Sequence, residues 1–284
     1  MNEKNDVKIF VVMHKSVNLE KMKLDKIYKR LLVGQNSTDE KDILIDSTKD
    51  NISEKNKFYC ELTGLYWIWK NIKCEYIGLC HYRRFFKKNN GYLTKNDILK
   101  ILNNKKKDII LPPKWYTILT VDEVYKKNHI ASDLEMCRQV IEEIYPEYLE
   151  SFDKIMKGHS VHTLNMFVAK KELIDKYCEW LFTILSNVEK RIELGLRNDY
   201  QKRVFGFLAE RLFNVWIEKN NLEIYVCNVE NTEQRFSNKV KSKINNIIVK
   251  TILKLKQFEK RSYGYEKIQI YIFCRVIGYD VAGD

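Results

Sequence analysis

Along the first 111 residues the apolar positions fall in short, β-branched runs, and beyond residue 130 they recur every three or four positions. Short buried runs read as strands covered on both faces, and the longer periodic stretches read as helices packed against them. Residues 7–13 (VKIFVVM) predict a first strand that ends in His14-Lys15. A short strand follows at 43–46, then a polar turn over 50–56. That turn opens a helix with its body at 58–70, where Leu62, Leu65, Tyr66 and Trp69 fall at helical spacing. Residues 76–80 (YIGLC) predict a third strand, closed by His81-Tyr82-Arg83-Arg84. A helix at 97–102 leads to a fourth strand at 108–111, stopped by Pro112-Pro113. The second half predicts helices at 132–144 and 147–156 on either side of Pro146, then a strand at 163–169. Helices at 171–188 and 199–216 and a last short strand near 226 complete the chain's ordinary pattern. Strands alternating with helices predict an α/β fold with an open, mainly parallel central sheet and a helical second half.

Residues 235–267 depart from this pattern. They carry ten Lys/Arg and two Glu, a net of +8; the whole chain of 284 residues carries +12, so the remainder holds about +4. On a helical wheel Val240, Ile244, Ile247, Ile248, Ile252, Leu255 and Phe258 share one face. Lys239, Lys243, Lys250, Lys254 and Lys260 lie opposite, which predicts a basic amphipathic helix. The expected division is an α/β domain over 1–232 and a basic segment over 233–284. The segment suits an anionic membrane surface, where each Lys or Arg close to the lipid contributes roughly 1 kcal/mol. A nucleic-acid-binding protein is one alternative, but it calls for a basic groove with exposed aromatics across the body. The body is close to charge balance, so no nucleic-acid partner is expected. A non-catalytic membrane scaffold is the other alternative, and it has no need of polar clusters at three strand ends.

Composition narrows the class further. A chain that is 45% hydrophobic and 31% charged is neither disordered nor collagen-like. Its seven cysteines are dispersed, with no C-x-x-C pair and no zinc-ligand spacing, and read as reduced thiols. The N-terminus lacks the apolar core of a secretory signal. The apolar stretch 268–277 is interrupted by Gln269 and Arg275 and is too short to cross a bilayer.

Candidate chemistry gathers at the strand ends, where open α/β sheets bind ligands. Three polar clusters fall there: His14-Lys15, the 50–56 turn, and His81 to Arg84. Adjacent arginines such as Arg83 and Arg84 can clamp a diphosphate through charge-assisted, bidentate hydrogen bonds. No G-x-G-x-x-G, P-loop or D-x-D motif accompanies them, so Arg, Lys and His are left to neutralise an anionic leaving group. In the segment 203–212, Arg203, Glu210 and Arg211 interrupt an apolar helix, and a carboxylate in such surroundings suits a general base. His129, Asp133, His159 and His162 are further candidates for an acceptor pocket.

The stretches 51–71 (NISEKNKFYCELTGLYWIWKN) and 76–85 (YIGLCHYRRF) resemble a family of bacterial capsular and exopolysaccharide glycosyltransferases, long catalogued only as a domain of unknown function. The similarity continues through 165–168, 177–182 and 203–212 and covers about residues 7–230. It implies a GT-A-like single domain that uses a nucleotide-diphosphosugar, and relatives include β-galactofuranosyltransferases acting on UDP-galactofuranose with inversion. Carried onto this chain, His14, Lys15, Asn51, Ser53, Lys55 and Asn56 would line the nucleotide pocket. His81, Tyr82, Arg83 and Arg84 would stand where other GT-A enzymes place D-x-D, which favours a metal-independent reaction without excluding Mn or Mg. Asn165 would face the sugar and acceptor, with His129, His162, Arg203 and Arg211 beside it; Glu210 would be the base, and Asp133 the reserve. The partners so implied are a UDP-sugar donor, a lipid-linked glycan acceptor and an anionic membrane surface. The location so implied is cytoplasmic, at the inner face of the bacterial plasma membrane.

Overall fold

The structure, a computed structural model, describes residues 5–88, 91–233 and 236–259, with the side chains of the last helix described over 243–255. Its strands are β1 (Val7–Met13), β2 (Tyr28–Leu32), β3 (Ile43–Ile45), β4 (Tyr76–His81), β5 (Arg84–Lys88) and β6 (Gly91–Tyr92), followed by β7 (Ile109–Leu111), β8 (Trp115–Tyr116), β9 (Ser160–Val161), β10 (Phe167–Lys170), β11 (Ile224–Val226) and β12 (Val229–Asn231). Its α-helices are α1 (Asn56–Tyr59), α2 (Leu62–Asn71), α3 (Lys95–Leu99), α4 (Val121–Asn128), α5 (Ala131–Ile144), α6 (Leu149–Met156), α7 (Lys171–Glu189), α8 (Val204–Lys219) and α9 (Phe236–Glu259).

The central sheet has the order β11-β7-β10-β4-β1-β2-β3. β1 runs parallel to β2 and β4, β2 to β3, and β7 to β11, whereas β10 is antiparallel to both its neighbours. β1 is apolar at almost every position because both of its faces are covered. Phe10 and Val12 pack with α2, α5, α7 and α8 on one face, and Ile9, Val11 and Met13 pack with Phe85, Phe86, Ile98 and Ile101 on the other. Burying each such side chain stabilises the fold by about 1.5–3 kcal/mol. Gly64 lets α2 approach this sheet: a Cβ there would lie 3.0 Å from Val33 Cγ1 and 3.2 Å from Leu31 Cδ2.

Three departures from the sequence pattern shape the cavity described below. The helix expected at 58–70 is broken at Cys60, whose φ of 53° and ψ of −130° separate α1 from α2. The cluster after the third strand is no simple loop, because the chain reverses at Tyr82-Arg83 and Arg84 starts β5, opposite His81. The helix expected from 199 begins with a 3-10 turn at Gln201–Arg203, and α8 proper starts at Val204. β2 was not expected either, since Lys29 and Arg30 interrupt its apolar pattern.

The chain packs as two units, one formed by residues up to 233 except 116–118, the other by 116–118 with the C-terminal residues. In the second unit Asn246 Oδ1 accepts a 2.9 Å hydrogen bond from the Tyr116 backbone, and the Lys250 ammonium lies 5.3 Å from the Tyr116 ring centroid. Within α9, Val249 and Ile252 are buried, while Ile244, Ile247 and Leu255 are exposed alongside Lys243, Lys250 and Lys254. The wheel's single apolar face is therefore divided in the folded chain, with Ile252 inside and three of its members outside. The side chains of Val240 and Phe258, the basic residues 235, 260, 261 and 267, and the apolar stretch 268–277 lie outside the described residues. Among the described residues no helix is long and apolar enough to cross a membrane.

Candidate active site

β1, β2 and β4 are parallel, so their carboxyl ends share one edge of the sheet, and a cavity of about 610 Å³ opens there. Val12, Met13 and His14 line it from the end of β1, Val33 from β2, and His81 to Arg84 from the β4–β5 turn. Its opposite wall comes from α1 and the break after it (Asn56, Lys57, Cys60, Glu61) and from Asp199 and Arg203 ahead of α8. Four cations, Lys57, Arg83, Arg84 and Arg203, thus face two carboxylates, Glu61 and Asp199. Asp199 is already paired with Lys202 at 3.3 Å, and Arg83 with Glu233 at 3.0 Å. Arg84, Arg203 and Lys57 have no carboxylate partner among the described residues, which leaves the cavity with cationic charge to offer an anion.

Each wall is held by local contacts. The Tyr82 ring stands edge-on to His14 with centroids 5.2 Å apart; the Arg83 guanidinium lies 4.6 Å from the ring centroid and donates to its hydroxyl. Partial burial lowers the His14 pKa, and the nearby charges of Arg83 and Lys15 add to that, so the ring is neutral at pH 7. Arg203 lies 5.5 Å over the Phe207 ring, and its Nε donates to Cys60 Sγ at 3.4 Å. Burial pushes the Cys60 thiol up to about 11, so it stays protonated and is a poor nucleophile. Asn56 pins the break: its Nδ2 donates to Cys60 O at 2.7 Å and Thr63 Oγ1 at 2.9 Å. On its other side Gly34, at φ +84°, is so close that a Cβ there would lie 2.8 Å from Asn56 Oδ1.

Behind the cavity floor lies a second run of strained backbone. Leu164 and Asn165 have φ of 80° and 48°, in the region L-residues rarely occupy, and three hydrogen bonds to neighbouring side chains hold them there. Glu210 Oε1 accepts from Leu164 N–H at 2.9 Å, His81 Nε2–H donates to Leu164 O at 2.6 Å, and Asn165 Nδ2 donates to Glu61 Oε1 at 2.7 Å. Glu210 Oε2 accepts from Arg211 at 3.1 Å. Burial raises the Glu210 pKa; Arg211 and the Leu164 N–H oppose the shift, and the charge of Glu61 adds to it. Glu210 does not line the cavity, although its side chain keeps 24% exposure beside this network.

The sequence candidates divide accordingly. His14, Asn56, His81, Tyr82, Arg83, Arg84 and Arg203 meet at one cavity, with Glu210 and the buried Asn165 just behind it. Ser53 lies under the β2 turn, where its hydroxyl donates to the buried Asp46 at 2.5 Å and accepts from Gln35 N–H. Lys55 pairs with Glu189 at 2.8 Å, Asn51 donates to Lys49 O, and Lys15 is exposed; none of them lines the cavity. Asp133 is not brought here: Arg197 grips both its oxygens, at 2.5 and 2.7 Å, beside a different cavity. His162 is buried, its Nδ1–H donating to Pro112 O at 2.6 Å, and burial depresses its pKa to about 4. His129 stacks on Phe207 at 4.0 Å, and its pKa is likewise lowered to about 4, by burial first and then by Arg211 and Arg203. His159 Nδ1–H donates to Leu119 O at 3.1 Å. Arg211 faces the Tyr125 ring at 5.3 Å. Glu61, Lys57, Cys60 and Asp199 also line the cavity and carry no functional mark in the sequence; Glu61 sits inside the 51–71 motif, but only the break at Cys60 turns it to the cavity. Among the described residues no three His, Cys, Asp or Glu side chains cluster as metal ligands.

The site is thus a cation-rich cavity at the carboxyl edge of an open α/β sheet, lined by strand-end turns and one strained helix break. Residues 8–221 match the family model described as Domain of unknown function (DUF4422), and the chain belongs to that family. Among solved structures it is similar to the WbbM bifunctional glycosyltransferase in its apo form, with a TM-score of 0.71 and 31% identity. That similarity covers 80% of this chain and 45% of the other, so this chain spans less than half the length of WbbM. The fold is accordingly GT-A-like. No curated protein matches the chain.

Proposed function

We propose that the chain is a nucleotide-diphosphosugar-dependent glycosyltransferase that extends a bacterial surface polysaccharide. One observation carries this reading: the cavity at the carboxyl ends of β1, β2 and β4 presents Arg84 and Arg203 without carboxylate partners among the described residues, in a chain 31% identical to part of a glycosyltransferase. In the proposed reaction a carboxylate takes the proton from the acceptor hydroxyl, whose oxygen attacks the anomeric carbon in a single inverting displacement. The bond from that carbon to the diphosphate oxygen breaks, and the electron pair leaves with UDP. Arg83, Arg84 and Arg203 stabilise the developing charge where it appears. Glu210, beside the cavity with 24% of its side chain exposed, is the base that the family resemblance implies; Glu61, which lines the cavity, is the second candidate. UDP-galactofuranose is the donor implied by the family resemblance. The domain spans residues 1–232, and the basic segment from 233, with exposed lysines and isoleucines on α9, holds it beside a lipid-linked acceptor at the inner membrane face.

Calorimetric titration with UDP, followed by transfer assays across a panel of UDP-hexoses, tests the reading. The expected result is micromolar UDP binding that Arg84→Ala weakens about 10–100-fold, the loss of one charge-assisted hydrogen-bond set worth about 1.5–3 kcal/mol. Glu210→Gln should abolish transfer with UDP affinity unchanged. A wild-type protein that ignores UDP and every UDP-hexose would refute the proposal, and full transfer by Glu210→Gln would move the base to Glu61.

A further inference from the structure

A second cavity, of about 470 Å³, lies across one short segment from the first. Residues 197–203 run between them: Asp199 and Arg203 line the first cavity, while Arg197, Asn198 and Gln201 line the second. Its charges balance, Arg191 and Arg197 against Asp133 and Glu193, and its remaining lining is neutral and mixed, with Ser132 and Gln201 beside Met136 and Leu196. An anion has no advantage there, in contrast to the first cavity.

Within this segment Tyr200 forms an exposed crest: it is 50% exposed and stacks on His129, with centroids 5.6 Å apart and planes 18° from parallel; His129 stacks in turn on Phe207. Leu196 nearby is 95% exposed. Uncharged hydrogen-bonding groups beside an exposed aromatic face and an exposed apolar side chain match the two faces of a hexose, hydroxyls at the rim and C–H groups on the ring. The segment is also held ready for a ligand, because the buried Asp133–Arg197 pair anchors it from below and Gln201 Nε2 donates to Asn128 O at 2.9 Å. His129 Nδ1 is buried without a hydrogen-bond partner among the described residues.

We infer that the second cavity and the Tyr200 crest form the binding site for a neutral oligosaccharide, the chain being extended, with its reactive end carried over Tyr200 toward Arg203. This rests on the glycosyltransferase reading and names where its acceptor sits. It makes the 197–203 segment the element that separates a charged donor compartment from a neutral acceptor compartment. It also explains why Tyr200 and Leu196 remain exposed while most aromatic side chains of the domain are buried.

The test is saturation-transfer NMR on the full chain with methyl β-D-galactopyranoside and lactose, with UDP titrated in parallel. Ser132→Trp fills the mouth of the cavity from an exposed position, and Tyr200→Ala removes the crest. The expected result is saturation of the sugar ring protons, an affinity lowered at least fivefold in each variant, and UDP affinity within twofold of wild type. The site is overturned if neither saccharide binds the wild-type chain, or if both variants bind them as well as wild type does. It is also overturned if Ser132→Trp instead abolishes a concentration-dependent dimer, which would make the cavity an interface between copies. Saccharide binding of the expected pattern in a chain that does not bind UDP would sink the donor reading and leave this site standing, so the two failures are distinguishable.

Discussion

Breaking the Asp133–Arg197 pair should cost far more than any surface ion pair. The side chains keep only 2% and 6% exposure, and the guanidinium meets both carboxylate oxygens, at 2.5 and 2.7 Å. The pair joins the first turn of α5 to the loop after α7, across 64 residues of sequence. Removing one member leaves the other charged, dry and unpaired, a loss of about 3–5 kcal/mol. Replacing both with apolar groups removes two desolvation penalties together, so Asp133→Leu/Arg197→Met should fall short of the sum of the singles by at least about 2 kcal/mol. In urea, with a slope of roughly 2–3 kcal/mol/M for a chain of this size, each single substitution should lower the midpoint by about 1–2 M. The coupling should survive 0.5 M NaCl, since salt screens buried pairs weakly. Additive single losses, or single losses below about 1 kcal/mol, would show that water reaches the pair and refute the reasoning. The cycle also bears on chemistry: if Asp133 only anchors the 197–203 segment, the double variant should keep its UDP affinity.

Two further outcomes follow from the geometry. His162 is neutral in the fold with a pKa near 4 against 6.5 in the unfolded chain, so its contribution is present above pH 6.5 and is lost as pH falls toward 4. At pH 5 that loss is about 2 kcal/mol, so urea unfolding of His162→Gln should show a correspondingly smaller decline between pH 7 and 5; equal declines would refute it. Gly34→Ala should destabilise the protein by roughly 1–2 kcal/mol or more, because φ of +84° strains any L-residue and the new Cβ meets Asn56 Oδ1. A melting temperature unchanged in that variant would show that the β2 turn relaxes freely.

Much of the frame was legible in the chain. β1, β4, β7 and α7 stand where the apolar runs and helical periods put them, because a strand covered on both faces or a long amphipathic helix must write its burial into its own residues. The polar residues after β1 and β4 marked the edge where the cavity opens for the same reason: nothing in a covered strand accounts for His14 or Arg84. What the pattern could not hold was anything set by a distant partner. β2 is a strand although Lys29 and Arg30 interrupt it, because Arg30 is satisfied by Glu40 and Asp42 at the strand's rim. β10 runs against its neighbours, a direction that no local period encodes. Asp133 reads as a free carboxylate until Arg197 is folded onto it, and Glu61 reads as one more helical Glu until the chain breaks at Cys60 and Asn165 reaches it. Sequence by itself determined the fully covered strands, the long helices packed on them and the end that carries charge, since burial and period are local. Which carboxylate faces the cavity and which is spent on an arginine was decided only by tertiary contacts more than 60 residues apart in the chain, where the cost of burying a charge selects its partner.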